Sequence, residues 1–102
     1  MLAGGRIRHT VAFTLVHPDG SPEERAFLDR ALELAAVPGV EVFELLCEVS
    51  PKNGYRFGIS MEFADRSAYD GYNRHPEHTR FVEERWLVEV ADFLELDYAP
   101  LP

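Results

Sequence analysis

Two side chains in the second half of the chain, Tyr72 and His78, are of types that together can move a proton and steady an oxygen. An imidazole titrates near neutral pH and suits a general base. A phenol hydroxyl suits a donor to a developing oxyanion. The two lie in the run Tyr72-Asn73-Arg74-His75-Pro76-Glu77-His78. Pro76 interrupts any helix there, so a tight turn must bring them together. The same pair also suits a structural use, with His78 bonded to local backbone and Tyr72 packed with its hydroxyl satisfied. His9 shares a strand face with Val11, Phe13 and Leu15. There it is either a satisfied core group or a partner that hydrogen-bonds Tyr72 or His78 and fixes a tautomer. His75, ahead of the proline, is expected to order the turn, and His17, in a Pro-Asp-Gly turn, to be solvated.

Other chemistries find less support. His75 and His78 are three apart, but no His-Glu-x-x-His pattern or carboxylate set accompanies them, and no metal is expected. No Gly-rich phosphate loop, Ser-His-Asp order or nucleotide fingerprint is present, so no cofactor is expected. Asp92 and Glu95 sit on a strand whose facing is open. Glu95 is expected to be a surface or dimer-edge charge rather than a carboxylate turned toward helices. Cys47, amid apolar residues with no basic neighbour, reads as a buried inert thiol.

The elements that must position these residues follow from periodicity. Arg8–Val16 alternates as a strand, with small Thr10, Ala12 and Thr14 opposite the His9 face. Ser21-Pro22-Glu23-Glu24 is a helix start with a capping box, and Phe27, Leu28, Ala31, Leu32, Leu34 and Ala35 follow at helical spacing until Pro38-Gly39. A second strand over Val40–Val49 and a third over Tyr55–Phe63 are separated by the turn Ser50-Pro51-Lys52-Asn53-Gly54. Asp65 caps a short helix to about Asn73, a further helix covers Glu77–Trp86, and a last strand covers Val88–Tyr98. The order β-α-β-β-α-β predicts an α+β fold: a ferredoxin-like four-stranded antiparallel sheet with helices on one face. The other face keeps Val16, Leu46, Val90, Leu94, Leu96 and Tyr98. That is more apolar surface than a monomer leaves wet, and a homodimer through the sheet face is expected.

Size and charge bound the rest. At 102 residues the chain is read as one domain, residues 1–102, with its core at about 8–98. A formal charge of −8 and a pI near 4.9 argue against nucleic acid and against anionic membrane surfaces. One cysteine excludes an internal disulfide, and no signal sequence or apolar span is seen, so a cytoplasmic protein is expected. The aromatic-rich interior suggests a flat, hydrophobic pocket, with Val11, Phe13, Phe27, Phe57, Ile59 and Phe81 as its expected lining.

Taken together, the opening Arg8-His9 strand, Val37-Pro38-Gly39-Val40, Gly54-Tyr55, Glu62-Phe63-Ala64-Asp65, the Tyr72-to-His78 run, Phe81 and Val90-Ala91-Asp92-Phe93 closely resemble the stress-responsive A/B barrel (Dabb) family. The Tyr-x-x-His-Pro-x-His run is the most specific element. The resemblance spans about Arg8 to Tyr98 and implies a dimeric α+β barrel with a pocket between sheet and helices. The family includes plant stress-linked proteins, bacterial members without an assigned role, and a plant polyketide cyclase that closes a poly-β-keto thioester by aldol condensation. The cyclase's catalytic tyrosine and histidine fall on Tyr72 and His78, and the family's first-strand histidine falls on His9. Where the cyclase has a further pocket histidine, this chain has Phe57. The resemblance leaves several expectations open. One is a ligand-binding homodimer without assigned turnover, another a cofactor-free cyclase, lyase or isomerase acting on a small hydrophobic or polyketide-like molecule. Others are a stress-protective structural oligomer and a heme-free monooxygenase of the related barrel type.

Overall fold

A computed structural model describes residues 1–102. The chain runs β1 (Ile7–Leu15), α1 (Pro22–Leu32) with a 3-10 turn at Glu33–Ala36, β2 (Glu41–Cys47), β3 (Phe57–Phe63), α2 (Arg66–Arg74), α3 (Pro76–Phe81), a π turn at Val82–Trp86, α4 (Leu87–Glu89) and β4 (Val90–Tyr98). The strands form one sheet in the order β2-β3-β1-β4, every neighbour antiparallel. This is the ferredoxin-like arrangement expected from the element order.

Local chemistry explains where the helices begin. Ser21 accepts from the Glu24 N–H at 3.1 Å, while Glu24 turns back onto the Gly20 N–H at 3.1 Å and is bridged to Arg56. Asp65 accepts from the Ala68 N–H to start α2, and His75 Nδ1 accepts from the Glu77 N–H to start α3. The residue that ends α2 is therefore the cap that starts α3, which makes the Pro76 corner a sharp one. Glu24 is buried, which would raise its pKa. The hydrogen bonds from Arg56 and Gly20 outweigh burial and hold it below the usual carboxylate range.

Strand alternation sorts the two sheet faces. Ile7, His9, Val11 and Phe13 on β1 and Phe57, Ile59, Met61 and Phe63 on β3 are all buried against the helices. From the helices, Phe27, Leu28, Ala31, Tyr69, Tyr72 and Phe81 close the core. On the outer face Leu46, Leu94, Leu96 and Tyr98 remain 45–49% exposed around Thr10, Ala12 and Gly58.

Three sequence expectations are corrected here. Val90 is not on the outer face: a bulge in β4, where Thr14 pairs with Asp92 but Leu15 with Val90, turns it inward to pack on the core. Cys47 is exposed: it is the last residue of edge strand β2, beyond Phe43 and Leu45, which still pack on the core. His17 is not solvated: its Nε2 lies 2.7 Å from Glu89, tying the end of β1 to the end of α4. No helix is long and apolar enough to cross a membrane.

Candidate functional site

A cavity of about 290 Å³ opens between the sheet and the segment from α2 to α4. Small-ligand sites run upward from about 300 Å³, so this one suits a compact molecule. Its walls are mostly apolar: Val11, Ile59 and Met61 from the sheet, Leu34 behind α1, Phe81 from α3, and Val82, Trp86 and Leu87 from the π turn and α4. The π turn widens the helix by one residue where its side chains meet the cavity. Of the lining expected from sequence, Val11, Ile59 and Phe81 are present. Phe13, Phe27 and Phe57 are not. Their rings stack on one another at 5.6–5.9 Å and fill the interior beside the cavity.

The polar groups gather at the other end of the same sheet face. The sharp corner at Pro76 folds α3 back so that the His78 and Tyr72 rings meet at 4.3 Å. His78 Nδ1 lies 3.2 Å from the Asn73 carbonyl oxygen, which can only accept, so Nδ1 carries the proton and Nε2 keeps its lone pair. Burial pushes His78 below the ordinary imidazole range. Its bond to Asn73 works against that shift, and the neighbouring His9 adds to it. Tyr72 is 2% exposed and raised well above the usual phenol value, by burial first and then by Tyr69 and Glu95. Its hydroxyl bonds to no protein group, yet the fold contains no buried side-chain oxygen or nitrogen without a partner. The hydroxyl therefore opens on the cavity that Tyr72 lines.

His9 does not bond to Tyr72 or His78. Its Nδ1 donates to Asp97 at 2.6 Å, and Tyr69 donates to the other oxygen of the same carboxylate at 2.6 Å. Asp97 thus fixes the His9 tautomer and leaves Nε2 toward the cavity. Burial, reinforced by Asp97, raises the Tyr69 phenol far above its usual value and keeps it a donor. Glu95 is exposed, as a surface charge would be, but on the helix-facing side: β4 pairs it with Val11 and places it at the cavity with Phe93, its side chain 48% exposed and its Oε1 3.7 Å from His9 Nδ1. His9, Glu95 and Asp97 bring their donor atoms within 4.8 Å of one another, a spacing compatible with a metal although the His9–Asp97 hydrogen bond already accounts for two of the three.

Sequence reasoning missed Tyr69 and Asp97. The available signal was parity: once β4 lies antiparallel to β1, His9 faces Asp97, and residues 93, 95 and 97 share the face of 9, 11 and 13.

This combination of a βαββαβ sheet with a cavity walled by its second helical layer defines a small α+β class. The stress responsive A/B barrel domain family matches residues 7–100, and the chain belongs to that family. A Dabb-family protein with a ferredoxin-like fold from Mesorhizobium loti is 56% identical, with a TM-score of 0.93 over 96% of this chain and 99% of that one. Two others share the fold alone. A hydroxynitrile lyase from Passiflora edulis is 12% identical, with a TM-score of 0.82 over 97% of this chain and 96% of that one. A dimeric ferredoxin-like protein from Thermobifida fusca is 18% identical, with a TM-score of 0.76 over 98% and 95%. No protein of curated function matches the sequence.

Proposed function

We propose that this chain is the one-domain subunit of a homodimer that performs cofactor-free proton transfer on a compact, largely apolar carbonyl compound. One observation carries the reading: His78, whose Nδ1 is engaged by the Asn73 carbonyl, and Tyr72, whose hydroxyl has no protein partner, line the same largely apolar cavity. His78 Nε2 removes a proton from a carbon between two carbonyls. The C–H electron pair moves into the adjacent carbonyl, whose oxygen takes a hydrogen bond from Tyr72. The carbanion carbon then attacks a further, remote carbonyl of the same molecule, and the alkoxide formed takes the proton back from His78. Atoms and charge balance with no other reactant, as an aldol-type cyclisation requires. Burial favours the neutral base and the protonated phenol, the two forms the step needs.

The test is cyclisation of a linear aryl-capped 3,5,7-trioxo thioester, whose C2 lies between two carbonyls and closes a six-membered ring on the C7 carbonyl, followed by the new absorbance of the aromatic ring formed after loss of water. His78→Ala is expected to lower the rate at least about a hundredfold with the melting temperature retained; an unchanged rate removes His78 from the mechanism. Tyr72→Phe keeps the ring and removes the donor, with an expected loss of about ten- to a hundredfold.

The homodimer rests on the outer sheet face, where Leu46, Leu94, Leu96 and Tyr98 are about half exposed. Light scattering at micromolar concentration is expected to give twice the chain mass, and Leu96→Arg to shift it to the monomer. A stable wild-type monomer would overturn this part of the reading.

A further inference from the structure

We infer that Glu95 makes the cavity select neutral or cationic ligands that carry a hydrogen-bond donor, and reject carboxylates and phosphates. This rests on the cavity being a ligand site, as proposed above, and names the class of molecule it takes. The first observation is a charge count. The cavity lining contains no Lys or Arg. Seven of the nine arginines are ion-paired elsewhere: Arg6 and Arg8 with Glu62, Arg25 with Asp29, Arg30 with Glu33, Arg56 with Glu24, Arg80 with Glu77 and Arg85 with Glu89. Arg66 stacks on the Tyr69 ring at 5.6 Å and pairs with neither Glu95 nor Asp97. Glu95 therefore stands in the cavity lining with no basic group beside it but the His9 imidazole, which is itself engaged by the Asp97 carboxylate. Even with His9 protonated, the three together stay negative.

The second observation is the direction of the hydrogen-bonding groups. His78 Nε2, His9 Nε2 and both Glu95 oxygens are acceptors, while the donors are the Tyr72 hydroxyl and the Trp86 indole N–H, and Asn73 offers an amide with one group of each kind. A carbonyl oxygen on Tyr72 and a hydroxyl or amine on Glu95 satisfy this set. An anion on the Glu95 side meets like charge at the half-exposed mouth of the cavity, where water and salt reduce the repulsion without removing it. The fitting substrate presents its carbonyls as ketone, ester or thioester, carries an enol, phenol or amine group toward Glu95, and has no free acid at its reacting end. Glu95 is in this sense a specificity-determining residue. Its alternation with Phe93 at the mouth sets the charged group beside an apolar ring that can cover a flat ligand.

The test uses three probes of one shape, p-cresol, p-methylbenzylamine and p-toluate, titrated into the intact protein by NMR or calorimetry at neutral pH. The amine and the phenol are expected to bind at least about tenfold more tightly than the carboxylate. In Glu95→Gln, which keeps size and hydrogen bonding, the phenol-to-carboxylate ratio is expected to fall to within about threefold and the amine to lose its advantage. The melting temperature of that variant, together with retained p-cresol binding, separates loss of charge from loss of fold. Equal binding of p-cresol and p-toluate by the wild type overturns the inference, as does an unchanged ratio in Glu95→Gln. Either result leaves the proton-transfer reading intact, since that stands on His78 turnover. If no probe binds while the trioxo thioester is still turned over, the selectivity is refuted and the base is not.

Discussion

The two ends of the inner sheet face are built from the same alternation and come out opposite in kind. Toward Phe13 and Phe57, the side chains meeting the helices are rings: Phe27 and Trp86 stack on Phe13 at 5.9 and 5.0 Å, and Phe81 joins them at 5.6 Å from Phe27, with Phe81 and Trp86 forming the wall shared with the cavity. Toward His9 and Met61 the same strands face Tyr69, Tyr72 and His78 across a cavity edged by carboxylates. The contrast comes from the helices. α1 presents Phe27 and Ala31, fully buried, over the first end. The broken α2–α3 corner holds the second end open, because a helix that stops at His75 and restarts at Pro76 cannot lie flat on the sheet. One end therefore stores stability, and the other is where a base and a donor can meet a ligand.

This contrast can be broken from either side. The largest expected effect is Phe27→Ala, which empties a fully buried ring site and should destabilise the fold by about 3–5 kcal/mol in chemical denaturation. A loss under 1 kcal/mol would mean the packed end is not the stability centre. At the open end, His78→Ala should leave denaturation within about 1 kcal/mol of wild type while removing turnover. A large loss of stability there would make the motif a turn-holder.

The smallest expected effect is a pH dependence. The folded-state pKa of His78 lies below its unfolded value. Stability is therefore full above the ordinary imidazole value of about 6.5 and declines as pH falls from there through the folded pKa, because the unfolded chain takes up the proton first. His78→Ala should flatten that part of the curve. A wild-type curve already flat between pH 7 and 5 would contradict the direction of the shift.

Much of the architecture was legible because strand alternation and helix starts are local signals: Tyr55 to Phe63 alternates cleanly, and Ser21-Pro22 and Asp65 announce helices a few residues ahead. The site was legible only where one short run carried it, from Tyr72 to His78. Asp97 and Tyr69 were hidden because nothing near either residue points to His9, 88 and 60 positions away in sequence. Glu95 was misplaced for the same reason. Its facing depends on register against β1, and an acidic strand near the end of a chain reads as surface until its partner is known. Phe13, Phe27 and Phe57 erred in the other direction. A run of aromatics suggests both a pocket and a core, and only packing tells filled space from empty.

The bulge at Ala91 gives the chain a place where its length can change without rewriting its meaning. Between the paired positions Thr14–Asp92 and Leu15–Val90, one residue is surplus to the ladder. Removing it would straighten the strand and leave Phe93, Glu95 and Asp97 pointing where they do now. Removing any single residue from Phe93 to Leu96 would instead invert everything that follows, sending Asp97 outward and Tyr98 in. The chain thus has a tolerant joint immediately before its most parity-sensitive stretch, where a residue can be gained or lost without scrambling the side chains that line the cavity.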